Sequence, residues 1–353
     1  MKYLALLSGD YPELGYIELS SLLSNYCPKH SIEIYSNKII RFQVEGECRN
    51  CDRLIFVKEL AEELVFLKKA NKPYNVWQNL SEAINNILEN PSLNDLLRNN
   101  RISIKVLKLL LFRGFPSSPS IEKYVGSKLI EKLNLSIDLK NPDKIVRVYL
   151  GKNFIAVGIL KKILKKSRIK NNVALPYKHP ATLTPEVMRL MRNISQAPSK
   201  VIADPFCGSA TLLLNVKLRG HSLCLDVDRK MLRKALMNLK AAQQHTYIDV
   251  VVADATLPPL REASINLIVT DPPYGRISPT RGASIKDLYN QFIISHFKVL
   301  KEGGKISFFS PKKVKWSKPF NAEILHQCEM YVHGDLIRIL TVMVNNKWWK
   351  YTF

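Results

Sequence analysis

With 353 residues, 46% of them hydrophobic, the chain has room for two or three domains with their own cores, and its composition excludes a disordered or disulfide-scaffold protein. No apolar run approaches the roughly eighteen residues of a membrane span, and MKYLALLSGDYPELG has too short an apolar core and too early an acid for a signal peptide; a soluble cytoplasmic protein with no membrane partner is expected. The 53 Lys+Arg against 30 Asp+Glu leave a net charge of +23, shared by both halves, which points to a polyanion, with nucleic acid ahead of an anionic membrane surface.

Cys48 and Cys51 form the only close cysteine pair, and no second pair or histidine cluster completes a zinc site, so no metal is expected. A disulfide and two plain thiols both stay open for them. Cys27, Cys207, Cys224 and Cys328 are expected as core or loop residues.

The first region, 1–69, reads as a small α+β domain. It has a short amphipathic helix at Tyr16–Leu23, strands at Ile32–Tyr35 and Ile39–Val44, and helical spacing over Leu54–Leu67. A second α+β region, 70–165, carries an apolar helix around Val106–Phe112, a turn at Pro116–Pro119 and a helix over Ser120–Leu133. It closes with strands at Lys144–Leu150 and Phe154–Leu160, joined by a hairpin at Gly151–Asn153. A linker over 166–183 follows. Lys152, Lys161, Lys162, Lys165, Lys166, Arg168 and Lys170 crowd together here with no acid among them, which suits a phosphate backbone; a solvated basic linker is the plainer alternative.

From 184 the texture becomes alternating strand and helix, the pattern of a doubly wound α/β sheet. Thr184-Pro185 starts a helix. Strands over Val201–Ala203, Ser222–Leu225, Tyr247–Val252 and Ile265–Val269 each lead to a carboxylate, at Asp204, Asp226, Asp254 and Asp271. Helices run to Leu218, over Arg229–Ala242 and over Ser284–Leu300. A turn at Lys301–Gly304, a strand at Lys305–Phe309 and two late strands near Met330 and over Ile337–Val344 complete the domain.

The carboxyl ends of such strands form the ligand edge. Only Gly208 stands between Asp204 and Thr211, so a pyrophosphate-binding Gly-x-Gly-x-x-Gly turn is absent and a smaller anionic group fits better. S-adenosylmethionine is such a ligand, with its amino-acid end near the turn and Asp204, its ribose at Asp226 and its adenine amine at Asp254. Phe206, Gly208, Ser209, Thr211, Val227, Ala255 and Asp271 complete the expected cofactor contacts. At the fourth strand end, Asp271, Pro272, Pro273 and Tyr274 are the candidate catalytic residues. Asp271 and the Pro272 carbonyl would accept the hydrogens of an exocyclic amine while Tyr274 stacks on the base. Arg276 and Arg281 follow and are expected to touch RNA or to close over the pocket; a strand-ending turn is the plainer alternative for Asp-Pro-Pro-Tyr taken by itself. His179 and the Trp348-Trp349 pair are weaker candidates for nucleic-acid contact.

Asp204-Pro-Phe-Cys-Gly-Ser-Ala-Thr211 together with Thr270-Asp-Pro-Pro-Tyr-Gly275 resembles the amino-group-specific class of Rossmann-like methyltransferases. The order of parts is similar to the archaeal tRNA guanine-10 N2-methyltransferase family, in which an N-terminal domain and a THUMP domain precede the catalytic one. Asp138-Leu-Lys-Asn-Pro-Asp143 with the strand pair over 144–160 resembles the close of a THUMP domain, and Lys178–Pro185 resembles the lead into the catalytic domain. The resemblance implies a Rossmann-like class I methyltransferase sheet over 184–353, preceded by a small α+β N-terminal domain and an α+β THUMP-like domain. It implies S-adenosylmethionine as cofactor, tRNA as partner, and methylation of a guanosine N2 amine, with position 10 ahead of position 6; a monomer is expected. Guanine-6 relatives usually carry Asn at the place of Asp271. A DNA amino-methyltransferase or a non-catalytic RNA-binding protein on the same frame are the alternatives; Ala210, where relatives usually have glycine, is the one departure that favours the last.

Overall fold

The structure is a computed structural model that describes residues 1–36, 38–48, 50–68, 75–109, 116–163, 174–177, 182–195, 201–216, 220–275, 284–333 and 336–346. The chain folds into two compact units. The first comprises Met1–Tyr16, Cys27–Asp52 and Phe56–Lys165; the second comprises Ile17–Tyr26, Arg53–Ile55 and Lys166–Phe353.

In chain order the elements up to residue 163 are β1 (Lys2–Leu7), α1 (Pro12–Tyr26), β2 (His30–Ser36), β3 (Ile39–Val44), β4 (Val57–Lys68), α2 (Val76–Leu88), α3 (Pro91–Asp95), β5 (Arg101–Lys108), α4 (Ser118–Lys132), β6 (Ser136–Ile137), β7 (Lys144–Leu150) and β8 (Phe154–Ile163). Their strands make one eight-stranded sheet, ordered β2-β3-β1-β4-β8-β7-β5-β6. Stretches 1–69 and 70–165 therefore contribute to the same sheet. Buried Leu80, Ile84 and Ile87 of α2 and Ile121, Val125 and Leu129 of α4 pack with Ile102, Ile104, Val146 and Val148 of the sheet.

Two expected helices are strands instead. From Val57 to Leu67 the first of these stretches lies in β4, hydrogen-bonded to β1 on one side and β8 on the other. The sequence carries Glu59, Glu62 and Glu63 at helix-compatible intervals, but each carboxylate is answered from another strand, by Arg147, Lys161 and Arg41 respectively. Two register shifts in the β4–β8 pairing break the strict alternation that would have marked a strand. Val106 lies in β5, parallel to β7, and the rest of that expected helix, 110–112, is outside the described residues. β1, α2 and α3 were not anticipated. The Asp138–Asp143 stretch is an Asx turn, with Asp138 Oδ1 accepting from the Lys140 and Asn141 amides at 2.9 Å each. Arg101 clamps its far end by donating to Asp143 from Nη2 at 2.8 Å and Nε at 3.1 Å.

The second unit continues with α5 (Pro185–Ser195), β9 (Val201–Asp204), α6 (Thr211–Val216), β10 (His221–Asp226), α7 (Arg229–Ala241), β11 (Ile248–Val252), β12 (Ile265–Thr270), α8 (Ile285–Val299), β13 (Leu300–Pro311), β14 (Ala322–His333) and β15 (Leu336–Asn345). The sheet order is β11-β10-β9-β12-β13-β15-β14, parallel from β11 to β13, with β15 antiparallel to both neighbours. Asp228 and Ser284 cap α7 and α8 by accepting backbone amides. Tyr289, Phe292, Ile293 and Phe297 of α8 cover one face, against Ala203, Ile268, Ile306 and Phe308. Residues 301–304 belong to β13; the expected turn is an irregularity in its pairing with β12, where Gly303 takes φ +70°.

Candidate functional site

The chain runs β9, β10, β11 outward in one direction and then returns to place β12 on the other side of β9. This reversal opens a crevice at the carboxyl ends of β9 and β12, where open α/β sheets hold their ligands. Asp204 ends β9 and Thr270-Asp271 ends β12, so the first and fourth strand-end carboxylates face one crevice.

Asp204 is almost fully buried. Its Oδ1 accepts from the Thr270 hydroxyl at 2.7 Å and from the Phe206 amide at 3.2 Å. Burial pushes its carboxyl up to about 7, against the pull of those two donors, and the charges of Asp226 and Asp271 push the same way. The turn that follows is tight. The Ala210 amide donates to the Cys207 carbonyl at 2.8 Å, and Gly208 and Ala210 both take left-handed backbone conformations, φ +52° and +61°. Gly208 tolerates this freely, whereas Ala210 has a methyl that disfavours it by about 1–2 kcal/mol. Ser209 and Thr211 lie buried with their hydroxyls 3.0 Å apart.

Asp226 ends β10 and takes the Gly208 amide on Oδ2 at 2.9 Å and the Asp228 amide on Oδ1 at 2.8 Å. Burial raises its carboxyl above the usual range. Val227 beside it is exposed, and Ala255 is buried. Asp254 lies further out along the edge and is exposed, its Oδ1 accepting from the Thr256 amide and hydroxyl at 2.8 and 2.7 Å. Phe206 meets Phe292 edge-on, with centroids 5.3 Å apart.

Asp271 sits just past β12, with Pro272 buried behind it. The Tyr274 hydroxyl donates to Asp271 Oδ1, and Arg338 of β15 stands 3.9 Å from Oδ2 and donates to the Tyr274 oxygen at 3.2 Å. Burial lifts Asp271 to about 6, while the Tyr274 hydrogen bond and the Arg338 charge hold it down, so at neutral pH it is mainly a carboxylate. The Tyr274 phenol is raised well above its ordinary value by burial and by the Asp271 charge; it is a donor here, not a base.

Three features were missed in the sequence. Asn238 of α7, fully buried, donates to the carbonyls of Ser209 and Tyr177 at 2.9 Å each and accepts from the Tyr177 amide at 3.0 Å, tying the incoming segment to the turn. Arg338 is the second. The third is a disulfide between Cys207 in the turn and Cys224 on β10, Cα atoms 5.3 Å apart, where scattered thiols were expected. Cys224 pairs in register with Asp204 across β10 and β9, which brings the 17-residue separation to bonding distance. Cys48 and Cys51 are also joined.

On the first unit, Lys152 is exposed at the β7–β8 hairpin tip. Lys161 is not an uncompensated charge, because Glu62 on β4 lies 2.6 Å away. Lys162 lies on β8 with its side chain outside the described residues, as are Lys165, Lys166, Arg168, Lys170, Arg276, Arg281, His179 and the Trp348-Trp349 pair.

A tRNA (guanine(10)-N2)-dimethyltransferase of Methanocaldococcus jannaschii is 28% identical over 359 residues, covering 95% of this chain and 97% of that protein. A second relative, from Methanothermococcus thermolithotrophicus and named "Probable tRNA (guanine(10)-N2)-dimethyltransferase", is 30% identical over 149 residues, which cover 40% of this chain and 86% of the relative. The chain belongs to the archaeal tRNA (guanine(10)-N2)-dimethyltransferase family. Two domain models agree with the guanine-10 N2-dimethyltransferase layout: "RMKL-like, methyltransferase domain" matches residues 174–338 and the THUMP domain matches 113–160. The fold is shared with the crystal structure of TrmN from Thermus thermophilus, at a TM-score of 0.54 and 20% identity over 98% of this chain and 100% of that one.

Proposed function

We propose that the chain methylates the exocyclic N2 amine of guanosine 10 in tRNA, once or twice, with S-adenosylmethionine as methyl donor. The observation that carries this is the pairing of a buried and a half-buried carboxylate at the ends of adjacent strands: Asp204 on the cofactor side and Asp271 on the amine side. The donor set fits that cofactor. Asp204 is a buried carboxylate with no cation against it among the described residues, and a ligand carrying an ammonium group supplies one. Gly208, Ser209 and Thr211 line the turn at the start of α6; Asp226 offers acceptors suited to a ribose diol, Asp254 to an adenine amine, and Val227 and Ala255 flank that end.

S-adenosylmethionine, when bound, supplies an electrophilic methyl group. A guanine amine is a weak nucleophile because its lone pair is delocalised into the ring. Asp271 and the Pro272 carbonyl accept hydrogen bonds from that amine, which localises the lone pair, and Asp271 takes up the proton that the nitrogen loses as its bond to carbon forms. Pro273 keeps the backbone extended past the strand end, and Tyr274 stacks on the base. The rest of the rate comes from proximity and alignment.

Residues 1–69, an α+β domain, and 70–165, a THUMP-like domain, hold the tRNA; 166–183 link them to the methyltransferase domain at 184–353. Lys152, with Lys161, Lys162, Lys165, Lys166, Arg168, Lys170 and Arg276, faces the phosphate backbone. Asp271, where guanine-6 relatives usually carry Asn, favours position 10. We further propose a monomer working in the cytoplasm, where its substrate is. The test is methyl incorporation into an unmodified tRNA transcript, followed by nucleoside mapping. N2-methylguanosine or N2,N2-dimethylguanosine at position 10 is expected, together with its loss in Asp271→Ala; modification at another position, or full transfer by Asp271→Ala, refutes the assignment.

A further inference from the structure

Asp271, Tyr274 and Arg338 form a closed arrangement whose third member the mechanism leaves unused. The Arg338 guanidinium is held between two rings, its Cζ 5.0 Å from the Phe309 centroid and 5.8 Å from that of Tyr274. Nη1 donates to the Tyr274 hydroxyl at 3.2 Å and stands 3.9 Å from Asp271 Oδ2, while the hydroxyl donates to Asp271 Oδ1. The Arg338 side chain is 12% exposed, and its buried Nε has no hydrogen-bond partner among the described residues.

A permanently charged group buried with a donor left over costs stability that an apolar residue of similar volume would spare. A role in packing between Phe309 and Tyr274 therefore does not account for an arginine. Orientation does: the planar guanidinium stacked on Phe309 has little freedom to swing, so its donor fixes the phenol oxygen, and the phenol hydrogen fixes one carboxylate oxygen. The second oxygen, Oδ2, faces the same cation without a direct hydrogen bond and retains its acceptor capacity.

We propose that Arg338 is a positioning residue of the methyl-transfer site: acting through the Tyr274 hydroxyl and its ion pair, it holds the Asp271 carboxylate as the acceptor that the guanine amine meets. This rests on amine methylation at Asp271 as proposed above. The groups that bear on Asp271 are Tyr274 from its own loop, Arg338 from β15, Tyr289 from α8 and Asp204 from β9. Among the described residues Arg338 is the one cation that bears on Asp271, so its removal leaves burial opposed there by the Tyr274 hydroxyl.

The test compares Arg338→Met and Arg338→Lys with the parent in two readouts. The first is the pH profile of kcat/KM for tRNA methylation. The second is the Asp271 13Cγ titration in ligand-free full-length protein, assigned with Asp271→Asn. In R338M both the acidic limb and the 13Cγ midpoint move to higher pH, with activity lost roughly tenfold at pH 6 and much less at pH 8.5. R338K returns both towards the parent. An unmoved midpoint, or a loss uniform in pH that R338K does not restore, overturns the proposal. If circular dichroism shows R338M unfolded, Tyr274→Phe breaks the same relay and must raise the midpoint; an unchanged midpoint there overturns it equally. A midpoint that moves as expected in a protein unable to methylate tRNA supports the anchoring and refutes the functional assignment on which its catalytic role rests.

Discussion

Replacing Asp204 by Asn separates what the carboxylate does for the ligand from what it does to the fold. Burial raises Asp204 from an ordinary 3.8 to about 7. A folded-state value above the unfolded one means that the unliganded protein loses stability as pH rises from about 4 through 7. The full effect approaches 4 kcal/mol, from roughly three units at about 1.4 kcal/mol each. Both hydrogen bonds to this side chain, from the Thr270 hydroxyl and the Phe206 amide, go to the single oxygen Oδ1, so an Asn oxygen in that place keeps them. Relative to the parent, Asp204→Asn therefore gains on the order of 2–3 kcal/mol between pH 5 and pH 8. For a unit of this size that corresponds to roughly 5–10 °C in the melting transition. The assay is calorimetry of the ligand-free pair at pH 5 and pH 8, with S-adenosylmethionine affinity measured beside it. The Tm difference is expected to widen with pH while affinity falls. A difference that does not change with pH, or a variant less stable at pH 8 than at pH 5 relative to the parent, refutes a strained, charged Asp204.

Asn238→Ala removes three hydrogen bonds and strands the buried Ser209 carbonyl, so a loss of about 2–3 kcal/mol in urea unfolding, with weakened cofactor binding, is expected. His296 is fully buried, held near 4 by burial despite its Nδ1 hydrogen bond to the Phe292 carbonyl. A value depressed below the unfolded one gives stability present above pH 6.5 and lost as pH falls towards 4, so His296→Leu flattens the acid-side slope of Tm; an unchanged slope counts against it. Ala210→Gly relieves about 1–2 kcal/mol of a left-handed alanine, φ +61°, against a loss of about 0.4–1 kcal/mol through the unfolded chain, so unfolding stability rises by at most about 1.6 kcal/mol. Lys152→Ala is expected to reduce the salt slope of tRNA binding by about one, and Lys161→Ala by less, since Glu62 already answers that charge.

The second unit was the more legible because its signals are local. A strand, its terminal carboxylate, a capped helix and the next strand all lie within about thirty residues, and the periodicity of each stands clear of its neighbours. In the first unit the spacing over Leu54–Leu67 spoke for a helix that the sheet excludes, and the partners of the β4 carboxylates lie far off on β3, β7 and β8. That Asp204, Asp226, Asp254 and Asp271 end or follow their strands was readable one by one. Arg338 was not, since its partner Tyr274 is 64 residues away, and neither was Asn238, an unremarkable polar residue on a basic helix until it reaches Ser209 and Tyr177. Cys207 and Cys224 could have been flagged: one stands in the turn after a strand and the other near the end of the next, where adjacent parallel strands bring such positions together.

The eight-stranded sheet bears on how this protein can be taken apart. β4 is an interior strand that belongs to the first 69 residues yet bonds along most of its length to β8. A truncation at residue 69 would strip β8 of its partner and leave a long apolar edge open to pairing with other chains. That fragment is expected to aggregate. Gene fusions and excised binding modules built from this protein should therefore keep β4 together with β8.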